Sequence, residues 1–334
     1  MSSAASPNTS AGASGPSPAR ARTNSAKSLT PPTWPIWVID LLKSAAEAEH
    51  SSANDALSLS SFDTRDASLI RARVIAATDL APQEFQAATQ AAYNAIAAEL
   101  SLRTDKYPVR FWNYIPDIHR PCEDGLDRYM VFNAGRFQAC SQWLSTAGER
   151  FEQNLPTASG VGHDGADLVI DALATTQTGA AVENPRQIPS YRYTRRYGPR
   201  PPCFARATLL ADSQNARLLV GGTASIVGEE SRHQGKLPEQ LQETLLNLSL
   251  LVQAAQKQAP IDAANAEFSP AVLACFSELR IYHPHTDDAD TIRKTLAAVF
   301  PSARVEFSLA SLCRSELLVE IEGVAQWSSE GTDQ

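Results

Sequence analysis

Apolar and polar positions alternate through residues 69–77, Leu-Ile-Arg-Ala-Arg-Val-Ile-Ala-Ala, a period of two that predicts a strand. Behind the turn at Asp79-Leu-Ala-Pro, residues 82–100 carry apolar side chains at helical spacing. An extended segment at 109–115, a helix at 126–144 and a strand at 168–174 complete a βαβαβ order. Such an order implies helices on one or both faces of a mixed sheet. The C-terminal half repeats the theme: strands at 204–210 and 217–227 form a hairpin around Asp212-Ser-Gln-Asn, and a helix at 238–256 follows. Beyond Pro270 come a strand at 278–283, a helix at 288–299 and strands at 304–309 and 316–324. The two halves share an element order without a residue-level repeat, which predicts a duplicated α/β unit.

Between Glu47 and Asp66 the chain is mostly polar and reads as a surface excursion. Before Trp34 it is Ser, Ala, Pro, Thr and Gly with Arg20, Arg22 and Lys27 and no acid, the composition of a disordered tail. The expected organisation is therefore a tail at 1–33, an N-terminal α/β half at 34–185 and a C-terminal catalytic half at 186–334. The 334 residues hold 37 acidic and 29 basic side chains, a net charge of −8. That excess of acid argues against a general nucleic-acid binder. No segment approaches the ~18 continuous apolar residues of a membrane span. Five widely spaced cysteines without a CxxC pair suggest neither a disulfide framework nor a zinc site, and a cytoplasmic protein is expected.

On this acidic chain, Arg186, Arg192, Arg195, Arg196, Arg200 and Arg206 cluster with Tyr191, Tyr193 and Tyr197 and no acid among them. A small carboxylate ligand explains the cluster, since guanidinium groups bind carboxylates through paired planar hydrogen bonds. The bland alternative is a solvated loop, and a rival is single-stranded nucleic acid stacked on the tyrosines. Upstream, Tyr129, Phe132, Arg136 and Cys140 fall on one face of the predicted helix. An arginine on such a face must snorkel, pair with an acid such as Asp127, or meet a ligand. In the last strand Glu316, Leu318, Glu320 and Glu322 share one face, and Leu317, Val319 and Ile321 share the other. The apolar set is the expected core face, and the carboxylates would by default face solvent.

Three segments, Gly222-Thr-Ala-Ser-Ile-Val-Gly, Gln242-Glu-Thr-Leu-Leu-Asn-Leu and Leu317-Leu-Val-Glu-Ile-Glu-Gly-Val-Ala, resemble the RidA (YjgF) fold. More specifically, Val109-Arg-Phe-Trp-Asn-Tyr-Ile-Pro, Gly125-Leu-Asp-Arg-Tyr-Met-Val-Phe-Asn-Ala-Gly-Arg, Glu183-Asn-Pro-Arg-Gln and Tyr197-Gly-Pro-Arg-Pro-Pro-Cys-Phe-Ala-Arg-Ala resemble the chorismatases. The resemblance implies an α/β fold of RidA-like mixed sheets with packed helices in two related halves. It also implies cleavage of the enolpyruvyl ether of chorismate, with release of pyruvate.

Carried over from that pattern, Tyr129, Arg136, Tyr197 and Arg206 would bind substrate, with Arg200 a weaker candidate. Glu320 would protonate the enolpyruvyl methylene, with Glu322 as runner-up. A glutamate of ordinary pKa, about 4.3, is a poor donor at neutrality, so the site must raise it. Cys313 resembles the hydroxybenzoate-forming branch and Ala224 the diene-diol-forming hydrolases. The expected product is 3-hydroxybenzoate, with 4-hydroxybenzoate as a further candidate. The alternatives are a hydrolase giving 3,4-dihydroxycyclohexa-1,5-diene carboxylate, a noncatalytic RidA-like sensor of small carboxylates, and a RidA-like imine deaminase. Gly221, Gly222 and Gly228 lack nucleotide-binding spacing, and Ser225 lacks a GxSxG setting. His283-Pro-His285-Thr-Asp287-Asp288 reads as a polar loop entering a helix. No cofactor, metal, nucleic acid or membrane partner is expected, and the protein should be a monomer or small homo-oligomer.

Overall fold

A computed structural model describes residues 33–43, 46–51, 56–145, 150–257, 266 and 268–328. The tail expected at 1–33 therefore lies outside the described residues except for Thr33. The first half runs α1 (Ile36–Leu41), β1 (Ala46–Ser51), β2 (Leu57–Asp63), β3 (Ala67–Val74), α2 (Pro82–Ser101), β4 (Tyr107–Pro116), α3 (Arg128–Trp143), β5 (Thr157–His163) and β6 (Leu168–Thr175). The second runs β7 (Ala180–Val182), β8 (Ala207–Ala211), β9 (Asn215–Ala224), β10 (Ile226–Val227), β11 (Glu230–Ser231), α4 (Leu237–Ala255), α5 (Pro270–Leu273), β12 (Phe276–His283), α6 (Ala289–Val299), β13 (Arg304–Leu309) and β14 (Glu320–Ser328).

Local chemistry sets the helix starts. Pro82 occupies the first turn of α2, where its missing N–H costs nothing, and Glu84 accepts the Ala81 N–H at 3.0 Å. Asp127 caps α3 by accepting the Met130 N–H, so it is not the partner of Arg136. Phe85, Tyr93 and Ile96 of α2 and Val131 and Phe132 of α3 then bury against one face of the first sheet.

The first sheet has the order β1-β2-β3-β6-β4-β5 and the second β7-β8-β9-β14-β12-β13, reversed in the direction of description. The two orders are the same when strands are matched by their place in each half. The match extends to detail: β4 pairs parallel with β5 as β12 does with β13, and antiparallel with β6 as β12 does with β14. Both antiparallel ladders slip at corresponding places, between Pro108 and Arg110 and between Phe276 and Glu278. The duplication expected from element order is present in the topology and in its bulges.

α2 and α3 cover one face of the first sheet and α4 and α6 one face of the second. The other two faces pack on each other: Leu69, Val109, Trp112, Val161 and Leu173 of the first meet Leu219, Ala224, Tyr282 and Val324 of the second. The result is four layers, helix, sheet, sheet, helix. This corrects the solvent-facing expectation for the last strand. Val319 and Ile321 face the helices, while Glu320 and Glu322, 4% and 3% exposed, face the layer between the sheets. Val319 and the residues before it lie outside the strand, which begins at Glu320.

The polar run expected as a surface excursion instead supplies β1 and β2, an antiparallel pair in the register Ala46↔Asp63 to Ser51↔Ser58. Beside α1, Trp34 Nε1 donates to Asp171 at 3.0 Å, and Arg280 Nη1 donates to the Thr33 carbonyl at 2.9 Å. These bonds tie the residues around α1 to both sheets. Among the described residues no helix is long and apolar enough to cross a membrane.

Candidate active site

Glu320 opens β14 opposite Ala224, the last residue of β9. The ladder between these strands then slips: Ile321 pairs with Thr223 but Gly323 pairs with Val220, so Gly221 and Gly222 together oppose Glu322. Two glycines are needed here. A Cβ on Gly221 would lie 2.8 Å from Thr157 Cγ2 and 3.0 Å from the Ala158 carbonyl oxygen, and the Gly222 Cβ position is occupied by the Glu320 carboxyl. The bulge thus makes the space in which Glu320 lies.

Burial raises the Glu320 carboxyl to about 8, assisted by the negative charge of Glu322 and opposed by Arg110 and Arg206. A carboxyl so placed carries its proton at neutral pH. Glu322 has a different setting. It accepts from Arg110 Nη2 at 2.7 Å, Ser159 Oγ at 2.6 Å and Trp112 Nε1 at 2.9 Å, all from strands of the first sheet. Both members of the Arg110–Glu322 ion pair are buried.

Two guanidinium groups flank the Phe204 ring, with Arg136 Cζ at 5.6 Å and Arg206 Cζ at 5.1 Å from its centroid. Both arginines are buried. Arg136, on α3, leaves Nε and Nη2 without hydrogen-bond partners, and these two N–H groups form one edge of the guanidinium fork. Arg206 leaves Nε unpartnered, while its Nη2 donates to Tyr193 Oη at 2.6 Å and to the Ile188 carbonyl at 3.2 Å. Buried N–H groups without acceptors are costly, and a carboxylate is the acceptor their geometry fits.

Tyr129, also on α3, lies close to Arg136, Cys313 and Glu320, and burial pushes its hydroxyl well up. Cys313 lies near Glu320, Arg314 and Arg206, with a thiol pushed up to about 12 by burial and by the Glu320 charge. It therefore stays a thiol, which removes thiolate attack from the roles open to it. Ala224 is buried in the inter-sheet layer against which Cys313 packs.

Arg136, Arg206, Tyr129, Cys313, Ala224 and Glu320 are thus brought together, whereas two other predicted residues are not. Tyr197 packs at a tilt against Tyr193, ring centroids 5.2 Å apart, and lies beneath Arg314 at 4.1 Å, one ring removed from Arg206. Arg200 is exposed, its guanidinium 5.3 Å from the Phe137 ring. Sequence reasoning named Tyr193 only as a member of the arginine cluster and Glu322 only as runner-up acid; it missed the contact of Tyr193 with Arg206 and the pairing of Glu322 with Arg110. It also missed Glu183, whose half-buried carboxyl is raised by burial to about 7, opposed by Arg206, and whose Oε2 has no partner. An arginine inside the apolar run Val109-Arg-Phe-Trp was the one available signal for the pair.

A family model of the N-terminal region of FkbO/Hyg5-like chorismatases matches residues 46–174. A protein of Streptomyces hygroscopicus named 3-hydroxybenzoate synthase is 35% identical over 243 residues, which span 71% of this chain and 68% of that protein. The chain belongs to the chorismatase family. A chorismatase of Streptomyces rapamycinicus is 34% identical over 248 residues, 72% of this chain and 70% of that one. A crystal structure of a chorismatase superposes with a TM-score of 0.66 at 28% identity, covering 83% of this chain and 79% of the other. The α/β arrangement of this chorismatase, mixed sheets with packed helices in two related halves, is the one its sequence leads one to expect. Among the described residues no group of three His, Cys, Asp or Glu side chains could hold a metal ion.

Proposed function

We propose that this chorismatase cleaves chorismate to pyruvate and 3-hydroxybenzoate, with Glu320 as the acid. The observation that carries the proposal is the buried Glu320 carboxyl, raised to about 8 and held beside Arg206. Chorismate is a dianion. Arg136 takes one carboxylate on its free Nε and Nη2 edge, and Arg206 takes the other through Nε, with Tyr193 held on the neighbouring Nη2. Loading the arginines with carboxylates cancels their pull on the Glu320 proton, so the acid is best tuned in the complex.

Glu320 then delivers its proton to the terminal methylene of the enolpyruvyl group, and the ether oxygen shares the resulting positive charge. The carboxylate left behind faces that cation and stabilises it. Capture by water or by a substrate hydroxyl, with breakage of the ether, releases pyruvate. Pyruvate and 3-hydroxybenzoate together have the composition of chorismate, so this route consumes no net water, whereas the diene-diol route takes up one. Cys313, a neutral thiol at the site, favours the aromatic product, and Ala224 is the residue that favours the diol reading.

Incubation with chorismate, with pyruvate measured enzymatically and ring products by chromatography, tests the proposal. Wild type should release pyruvate and 3-hydroxybenzoate in equal amounts. Glu320→Gln should bind chorismate and release neither. A wild type that binds chorismate without consuming it would leave the sensor reading, and a wild type giving only the diene-diol would leave the hydrolase.

A further inference from the structure

Because β6 and β14 have corresponding ladders with corresponding bulges, residues in the two halves can be matched one to one. Beyond the slip, Leu173 pairs with Arg110 as Val324 pairs with Glu278. Asp171 then pairs with Trp112 as Glu322 pairs with Arg280. Asp171 and Glu322 thus occupy the same position of the duplicated fold. Both are buried and paired with an arginine, Asp171 with Arg71 at 2.7 Å and Glu322 with Arg110 at 2.7 Å. Two residues earlier the halves part: Val169 in the first, Glu320 in the second. The first half thus keeps a clamped carboxylate with no acid beside it, a built-in control for the second.

We propose that Glu322 is a positioning residue for the reaction: an ion-paired carboxylate, clamped by Arg110, Ser159 and Trp112, whose charge keeps its neighbour Glu320 in the proton-carrying form. The proposal rests on Glu320 being the acid. The clamp matters because it fixes the Glu322 carboxylate in place on the same face as Glu320. Three donors from the facing first sheet hold both its oxygens. Ser159 Oγ also accepts the Gly222 N–H at 2.9 Å, so the residue that anchors Glu322 anchors the floor under Glu320 as well.

The other groups near Glu320 are Arg110 of β4, Arg206 before β8, Tyr129 of α3 and Cys313. Those near Glu322, besides Arg110, are Tyr114 of β4, Arg280 and Tyr282 of β12 and Glu306 of β13. The two arginines that reach Glu320 would draw its proton away. Glu322 is the buried carboxylate close enough to oppose them, and opposite environments two residues apart separate a proton donor from a fixed charge.

The test is the pH profile of pyruvate release by the wild type and four variants. Glu322→Gln should move the alkaline limb downward by about one pH unit or more, a loss of about fivefold or more at pH 8 with much less at pH 5.5. Asp171→Asn, which breaks the matching clamp, should leave the limb where the wild type has it. Arg110→Gln with Glu322→Gln removes cation and anion together, and should move the limb in the same direction by less. Glu320→Gln distinguishes the two layers of argument: activity in that variant overturns the acid assignment itself. An inactive Glu320→Gln with an unmoved limb in folded Glu322→Gln overturns only the role of Glu322. If both Glu322 variants fail to fold, the pair is structural and the proposal is overturned too.

Discussion

Gly222 lies directly beneath Glu320: a Cβ built on the glycine would stand 1.8 Å from Glu320 Oε1 and 2.6 Å from its carboxyl carbon. Gly222→Ala should therefore push the acid out of its seat while leaving both arginines in place. The expected result is a fall in kcat of about 100-fold, since a displacement of about 1 Å is enough for that. KM should change far less. Steady-state kinetics, with a melting curve to confirm folding, decide it; an alanine variant with wild-type kcat would show that the acid does not occupy this position during turnover.

Activity of the wild type should hold through neutrality and fall as pH rises through about 8, the value at which Glu320 loses its proton. The same group makes stability depend on pH. Its folded value lies above the ordinary 4.5, so the folded protein binds the proton more tightly than the unfolded chain. The contribution is intact below about 4.5 and is lost as pH rises toward 8. Glu320→Gln lacks the titration. Its melting temperature should exceed that of the wild type at pH 9, and the gap should close by pH 4. A constant gap would place the raised carboxyl elsewhere.

Arg136 carries a buried positive charge with two unsatisfied N–H groups in the free protein. Arg136→Met, which keeps the length and removes the charge, should raise the melting temperature and raise KM for chorismate by more than about tenfold. Binding and stability moving in opposite directions is the signature of a site preorganised for an anion. A variant that loses both would mark Arg136 as part of the core instead.

With its thiol pushed up to about 12, Cys313 should resist alkylation at pH 8. Cys313→Val should shift ring products toward the non-aromatic diene-diol while chorismate is still consumed. Product profiles before and after the substitution check this, and an unchanged aromatic fraction would remove Cys313 from the control of product.

The pattern of apolar positions was sufficient to place α2, α3, α4 and α6 and most strands, because each buries one face against a single layer. It failed where a strand lacks that signature. β5, Thr-Ala-Ser-Gly-Val-Gly-His, is too rich in small residues to read as a strand, yet it supplies Ser159 to the Glu322 clamp. β14 misled for the opposite reason: alternation separates two faces but cannot say that both are buried. Glu320 and Glu322 look solvent-bound until a second sheet is seen to cover them. Family resemblance supplied Arg136, Arg206, Tyr129 and Glu320. It also named Tyr197, which stands beside Tyr193, the tyrosine that Arg206 contacts.

A fold that occurs twice within one polypeptide escapes a restriction that binds assemblies of identical subunits. When one gene product supplies both walls of a cleft, each residue change appears on every copy of the repeating unit, and an acid introduced at one place appears at all of them. Covalent linkage of the two units lets their sequences drift apart. Here the position that holds Glu320 in one unit holds Val169 in the other, and the glycine bulge that seats the acid stands where the other unit has Arg71 facing Asp171. At this position one copy thus keeps an apolar side chain beside an ion-paired carboxylate, while the other carries the buried acid on which the reaction depends.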